Sequence, residues 1–413
     1  MRAARRELDA VIDEIRAVPG FESFQAAPTF ADVVAAASAR PMVYVTPAVP
    51  GGLALIVRGS DVAHVPLAGL TAVSVRERAA SYLDAYATRR TDRGRDSWRA
   101  TLDAISAWAW DSIMGPILDA LAEPTDIVVV AGGLLGLLPL HAASVEDSTW
   151  PTGRRHALDT NAISYAPNAR ALTAASAIAA DTTMARTLVI VEPQPVSAPN
   201  LPFSRPEGEL VAATSSESIV LTGGEATVAG FRRAAPGVGV MHFACHGLAD
   251  LDAPLDSGLL LAGNHWITLR DLMALDLRVR LVVLSACETA LPGTELPDEV
   301  VALPTGLLQA GAAGVVASQW AVPDHGTALL MADLYRRLRT ESPAVALRNA
   351  QQWLRDSTNG QKVAWLDDAA SGPEAWISAT TAERLIDRLA YVDPEVRSHA
   401  ELRAWAGFTH VGV

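Results

Sequence analysis

The chain has 413 residues, half of them hydrophobic, which is enough to bury a large core and suggests two or three domain-sized units. Its net charge of −13 argues against nucleic acid as a direct partner, since that function calls for a basic face. Two cysteines cannot build a disulfide framework, so a reducing cytoplasm is the expected compartment.

The first residues do not read as a signal peptide. Arg2, Arg5 and Arg6 lead into an amphipathic helix whose Leu8, Val11, Ile12 and Ile15 share one face. No apolar run approaches the roughly 20 residues needed to cross a bilayer, so a soluble protein with no membrane partner is expected. Residues 41–59 predict a β-hairpin turning at Pro50, Gly51 and Gly52. Helices are expected over 73–87 and 98–121, then a buried strand over 126–131. The one basic run, Arg89, Arg90, Arg93, Arg95 and Arg99, is broken by Asp92 and Asp96 and reads as a solvated loop and helix start.

The glycine-rich segment 132–143 fails as a phosphate loop because no Gly-Lys-Ser/Thr follows its glycines. His141 within it reads as a structural histidine, since neither cysteine lies in this half. A strand (NAISYAP) and a helix (NARALTAASAIAA) then close the first half, and a fresh β-α alternation begins with TLVIVEP. This places a domain boundary between residues 1–185 and 186–413. Within the second half, Thr227 is a plausible cap and Pro236 a stop for the helix between them. Glu192, Glu207 and Glu209 carry no assignment that the sequence reveals.

Two apolar runs dominate the second half. GVMHFACHG (239–247) and RLVVLSACETA (280–290) each have the length of a buried parallel strand and end abruptly in a reactive side chain, His246 and Cys287. As neighbours in one sheet, their carboxyl ends would lie together where open α/β sheets hold ligands. An imidazole beside a thiol suits nucleophilic catalysis, because the thiolate rather than the thiol attacks. Strand alternation turns Cys245 to the opposite face from His246, which reads as core filling. A zinc site from His242, Cys245, His246 and Cys287 has suitable ligand types, but the same alternation separates them. Alternating strands and helices of this length imply an α/β, doubly wound and mostly parallel sheet with helices on both faces.

HFACHG, LSACETA, the segment 298–324, AVALRNAQQWL and, upstream, GGLLGLLPLHAA, SYAPNARAL and EATVAGFRRAAP together resemble the CHAT family of bacterial caspase-like proteases, related to caspases and separase. The resemblance implies a degenerate caspase-like first half packed on a catalytic second half. It implies Cys287 as nucleophile, His246 as base, and the backbone N–H groups of Gly247 and Cys287 as the oxyanion hole. Ser285, two residues before the nucleophile, would line the primary specificity pocket. SQWAVPD resembles the LWxVxD motif of separase, which makes Asp324 a candidate acid for a basic substrate side chain, with a turn or helix cap as the alternative. Ser318 and Trp320 are candidates for pairing with extended substrate, Trp320 equally for the core. Asp298 and Glu299 read as helix-capping and dipole partners.

A cysteine endopeptidase acting on a protein or peptide is therefore expected, with no cofactor and no metal. The family implies a role in bacterial defence or programmed cell death, for example activation of a gasdermin-like partner. No 34-residue helical repeat is present, so a sensor would be a separate helical-repeat protein. A catalytically silent scaffold on the same fold is the rival reading, and an acyl transferase on the same dyad a third. The role of residues 356–399 is not legible.

Overall fold

The computed structural model describes residues 2–22, 24, 28–250, 252–286 and 302–413. In chain order the strands are β1 (Met42–Thr46), β2 (Gly52–Arg58), β3 (Asp61–Leu67), β4 (Ile127–Ala131), β5 (Ser144–Glu146), β6 (Arg154–His156), β7 (Ile163–Tyr165) and β8 (Arg186–Pro193). They continue as β9 (Glu217–Gly223), β10 (Val240–Ala244), β11 (His246–Leu248), β12 (Gly258–Leu261), β13 (His265–Thr268), β14 (Leu281–Leu284), β15 (Gly314–Ser318) and β16 (Phe408–Gly412).

Eleven of these form one sheet in the order β3-β2-β1-β4-β7-β16-β15-β14-β10-β8-β9. The β1/β2, β2/β3 and β15/β16 pairs are antiparallel and the others parallel, so the fold is mixed α/β with a large, mostly parallel sheet between helices. Its central strands are the apolar runs, β10 (VMHFA), β14 (LVVL) and β15 (GVVAS), buried at every position. Such strands need cover on both faces. Alternation divides β10 between two cores: Val240 joins one cluster, whereas Met241 and Phe243 join the other, as does Cys245 just beyond the strand.

The chain's last strand, β16, sits in the middle of the sheet. It pairs with β15 on one side and with β7 on the other, so the strands from residues 42–165 and those from 186–318 meet across it. A buried ionic knot ties residues 156–159 to the later helices of the chain. Arg355 contacts Asp159 at 2.7 Å and Asp356 at 2.6 Å, donates to His156 Nδ1 at 3.1 Å, and lies over the Trp405 ring.

Most expected elements are present, with differences that have physical causes. The hairpin β1/β2 continues into a third strand, β3, which the sequence reading passed over. Four of its first residues are exposed, so it lacks the apolar signature of a buried strand. The long helix expected over 98–121 is a helix Asp92–Ala109, a π-helical turn Trp110–Met114 and a helix Gly115–Leu121. His141 is 3% exposed, with Nδ1 3.1 Å from the Tyr165 hydroxyl and Nε2 donating to Ala406 O at 2.9 Å. Burial pushes its pKa down to about 4, which suits a neutral structural histidine.

Candidate active site

β10 and β14 are parallel neighbours, with Val240 beside Leu281 and Phe243 beside Leu284. Phe243 and Leu284 thus form one rung, and His246 and Cys287 each come three positions beyond it. Cys287, with Glu288, Thr289, Asp298 and Glu299, lies outside the described residues, so the site is built from what surrounds the end of β14.

At Cys245 the chain leaves the large sheet. His246 opens β11, which pairs with β12 in a small antiparallel sheet, placing His246 opposite Leu260 and Gly247 opposite Leu259. The imidazole is held by the loop that follows β8: its Nε2 lies 2.7 Å from Pro199 O. A carbonyl oxygen only accepts, so Nε2 carries the proton and Nδ1 keeps its lone pair. This fixes the tautomer a general base needs. A backbone carbonyl has no sequence signature, and no reading of residue types could have found it.

The same loop reaches the acid expected from the sequence. Asp324 begins the helix Asp324–Arg337 but makes no cap bond there; its Oδ2 accepts from Phe203 N at 2.9 Å. Of the two roles offered by sequence, a cap for its own helix is therefore not the one it takes. Its pKa is raised to about 6, first by burial and then by the charge of Glu207, against the lowering effects of the Phe203 N–H and His246.

Ser285, Ser318 and Asp324 line one pocket at the end of β14, together with Glu207, Cys245 and Ala286. Ser318 Oγ donates to Ala286 O at 2.8 Å, fixing the carbonyl of the residue covalently joined to Cys287. Ser285 Oγ is buried with no hydrogen-bond partner among the described residues. Trp320 is elsewhere: fully buried, it packs edge-on to Trp98 with ring centroids 5.9 Å apart and donates to Arg403 O at 3.0 Å. It belongs to the core and does not line the pocket, because the chain turns after β15 and carries the indole to the aromatic cluster of Tyr82, Tyr86 and Trp98.

Glu207 was passed over in the sequence because it stands alone in a polar helical stretch. It lies in the helix Ser204–Thr214 and is 2% exposed. The adjacent Gly208 permits this approach: a Cβ there would fall 2.3 Å from Val191 Cγ2 on β8. Glu207 Oε1 lies 3.1 Å from His242 Nε2 without an aligned hydrogen bond, and His242 Nδ1 faces the Tyr335 hydroxyl at 3.1 Å. Of the other two unassigned acids, Glu192 pairs with Arg205 and Glu209 accepts from Thr381 Oγ1.

The segment 356–399 supports both acid-bearing helices. Its helix Ala379–Ile386 touches the Ser204–Thr214 helix through Thr381, and His325 Nε2 donates to Leu385 O at 2.9 Å. Among the described residues, no helix is long and apolar enough to cross a membrane.

Comparison with known proteins gives a consistent picture. A family model described as the CHAT domain matches residues 103–413. No curated protein matches the sequence. Among solved structures, a Saccharomyces cerevisiae separase–securin complex resembles the chain with a TM-score of 0.57 at 8% identity, covering 93% of this chain and 30% of that one. The chain thus spans about a third of the separase chain's length, and at this identity the likeness shows the fold alone. The Porphyromonas gingivalis RgpB pro- and mature-domain complex is more distant, with a TM-score of 0.40 at 11% identity over 75% of this chain and 68% of that one.

Proposed function

The chain belongs to the CHAT domain family and has a caspase-like fold related to cysteine proteases, and from that premise we propose that it is a cysteine endopeptidase using His246 and Cys287. The observation that supports this most is the parallel pairing of β10 with β14, because in the sequence His246 and Cys287 each follow by three residues the rung that Phe243 and Leu284 form. The pinning of His246 Nε2 by Pro199 O adds to it.

In this reading, His246 Nδ1 takes the Cys287 thiol proton, and the thiolate attacks the carbonyl carbon of the scissile peptide. The N–H groups of Gly247 and Cys287 receive the oxyanion. His246 then gives its Nδ1 proton to the departing amine, leaving a thioester on Cys287. Water, deprotonated by the same nitrogen, attacks the thioester and releases the acid and the thiol. Ser285, Ser318 and Asp324 line the pocket for the substrate side chain on the acyl side. The natural substrate in this reading is a partner protein activated by cleavage in bacterial defence, such as a gasdermin-like protein, with a separate helical-repeat protein as sensor. That role rests on family resemblance.

Alkylation of Cys287, followed by mass spectrometry against pH, tests the dyad without a substrate. The free thiol titrates near a pKa of about 8.5. Cys287 is expected to react with a midpoint well below this in the wild type, and to lose that advantage in His246→Ala. Cys245, 1% exposed, stays slow in both and serves as the internal reference. Equal midpoints in wild type and variant would count against a working dyad.

A further inference from the structure

The segment 356–399, which no step of the proposed reaction uses, helps to enclose a second cavity. It has a volume of about 510 Å³, within the range of pockets that enclose small molecules, and its walls are residues 200–203, the start of the helix Asp324–Arg337, and residues 388–404. Its charge is mostly positive. Arg388 and Arg403 line it against one acid, Asp324, whose Oδ2 already accepts from the Phe203 N–H. Arg403 is partly answered by Glu401, 2.6 Å from its Nε. Arg388 makes no hydrogen bond or ion pair among the described residues, and its guanidinium stands 5.9 Å from the centre of the Phe203 ring.

Two histidines complete the wall, and both feel these cations. His399 is 7% exposed, and its Nδ1 has no hydrogen-bond partner among the described residues. Burial pushes its pKa down to about 3, with the charges of Lys362, His325 and Arg403 adding to the fall. His325 is lowered too, by burial first and then by Arg388 and Lys362, against the raising effect of the Leu385 carbonyl. Like charges gathered along one wall favour a counter-ion, and what complements this wall is an anion. Phe203, Leu389 and Val392 add apolar surface, which suits an anion carried on an apolar body.

Resting, for its effect on catalysis, on the endopeptidase reading above, we propose that this cavity is a regulatory site for a small organic phosphate monoester, held by Arg388, Arg403 and His399, whose binding fixes the loop 199–203 and with it the catalytic imidazole. Such a group carries a charge of about −1.5 to −2 at neutral pH and presents three acceptor oxygens. Two guanidinium forks match it, and the neutral imidazole of His399 offers it an N–H. The link to catalysis is short. The loop that forms one wall holds His246 Nε2 through Pro199 O at 2.7 Å and Asp324 through Phe203 N at 2.9 Å, and its Phe203 ring packs edge-on to His325 with centroids 5.0 Å apart. A ligand seated between Phe203 and Arg388 therefore orders the stretch that sets the tautomer of the base.

The test titrates phenyl phosphate into the full chain, with binding followed by NMR, and needs no catalysis. Phenyl phosphate is expected to bind the wild type, with affinity lower by about tenfold or more in Arg388→Gln and in Arg403→Gln. Arg388 is exposed, so its replacement leaves the fold in place. Phenol, which keeps the ring without the charge, is expected to bind at least about a hundredfold more weakly, and inorganic phosphate, which keeps the charge without the ring, at least about tenfold more weakly. At saturation, phenyl phosphate should raise the rate of Cys287 alkylation at neutral pH several-fold in the wild type, and the same concentration should leave the rate in Arg388→Gln unchanged. No binding to the wild type, equal binding of phenol or of inorganic phosphate, or an affinity that neither arginine variant lowers would overturn the site. Binding without any change in Cys287 alkylation would overturn its regulatory role. Binding lost in Arg388→Gln while His246→Ala alkylates like the wild type would instead sink the endopeptidase reading and leave the anion site standing.

Discussion

His246→Ala is expected to lower kcat/KM for peptide hydrolysis by at least about 10⁴-fold, Cys287→Ala by as much or more, and the double variant by no more than Cys287→Ala alone. The reason is that the two side chains act as one unit. Without the imidazole the thiol is mostly protonated at neutral pH, and the departing amine has no proton donor. Without the thiol the imidazole has no nucleophile to serve. The fold should not suffer from either loss, since the His246 side chain, at a partly exposed position, makes a single hydrogen bond among the described residues, to Pro199 O. Thermal unfolding of each variant within about 1 kcal/mol of wild type separates a lost reaction from a lost structure. Losses that multiply in the double variant would mean that the two residues act independently, against the dyad.

The largest effect on stability is expected at Arg355. Its guanidinium is wholly buried between Asp159, itself unexposed, and Asp356, with His156 Nδ1 and the Trp405 ring completing the shell. Burial raises the Asp159 pKa, but His156 and Arg355 more than offset this and hold it below the ordinary carboxylate range. Arg355→Met leaves that carboxylate buried without its cation, a change that costs about 3–5 kcal/mol. A fall in Tm of about 3–6 °C is expected by calorimetry, with part of it restored by adding Asp159→Asn. The pair's contribution to stability is present above the unfolded carboxylate pKa of about 3.9, and is lost as pH falls through the lower folded value. A Tm within 1 °C of wild type would show that the knot does not hold the chain together.

What could be read from the sequence was what periodicity and strand endings encode. The apolar runs that end at His246 and Cys287 read as neighbouring strands, and β10 and β14 do pair in parallel. The place of β16 between β7 and β15 was not visible, because nothing local records which strands a segment joins. The pocket was partly legible. Asp324 was found by its motif, but its bond to Phe203 N joins residues 121 positions apart. Glu207 was invisible as a lone acid in a helix, and gained meaning only when Gly208 let that helix close on β8. Pro199 acts through a carbonyl that every residue has. Trp320 could have served core or pocket, and the aromatic cluster settles its position in the core.

The most direct measurement is to incubate the chain with a proteome-derived peptide mixture and sequence the new N-termini, beside Cys287→Ala as the control. The account predicts new termini with the wild type that are absent with the variant. New termini that persist in Cys287→Ala, or a wild type that cuts nothing while its Cys287 alkylates no faster than Cys245, would contradict a cysteine endopeptidase and favour a silent caspase-like scaffold.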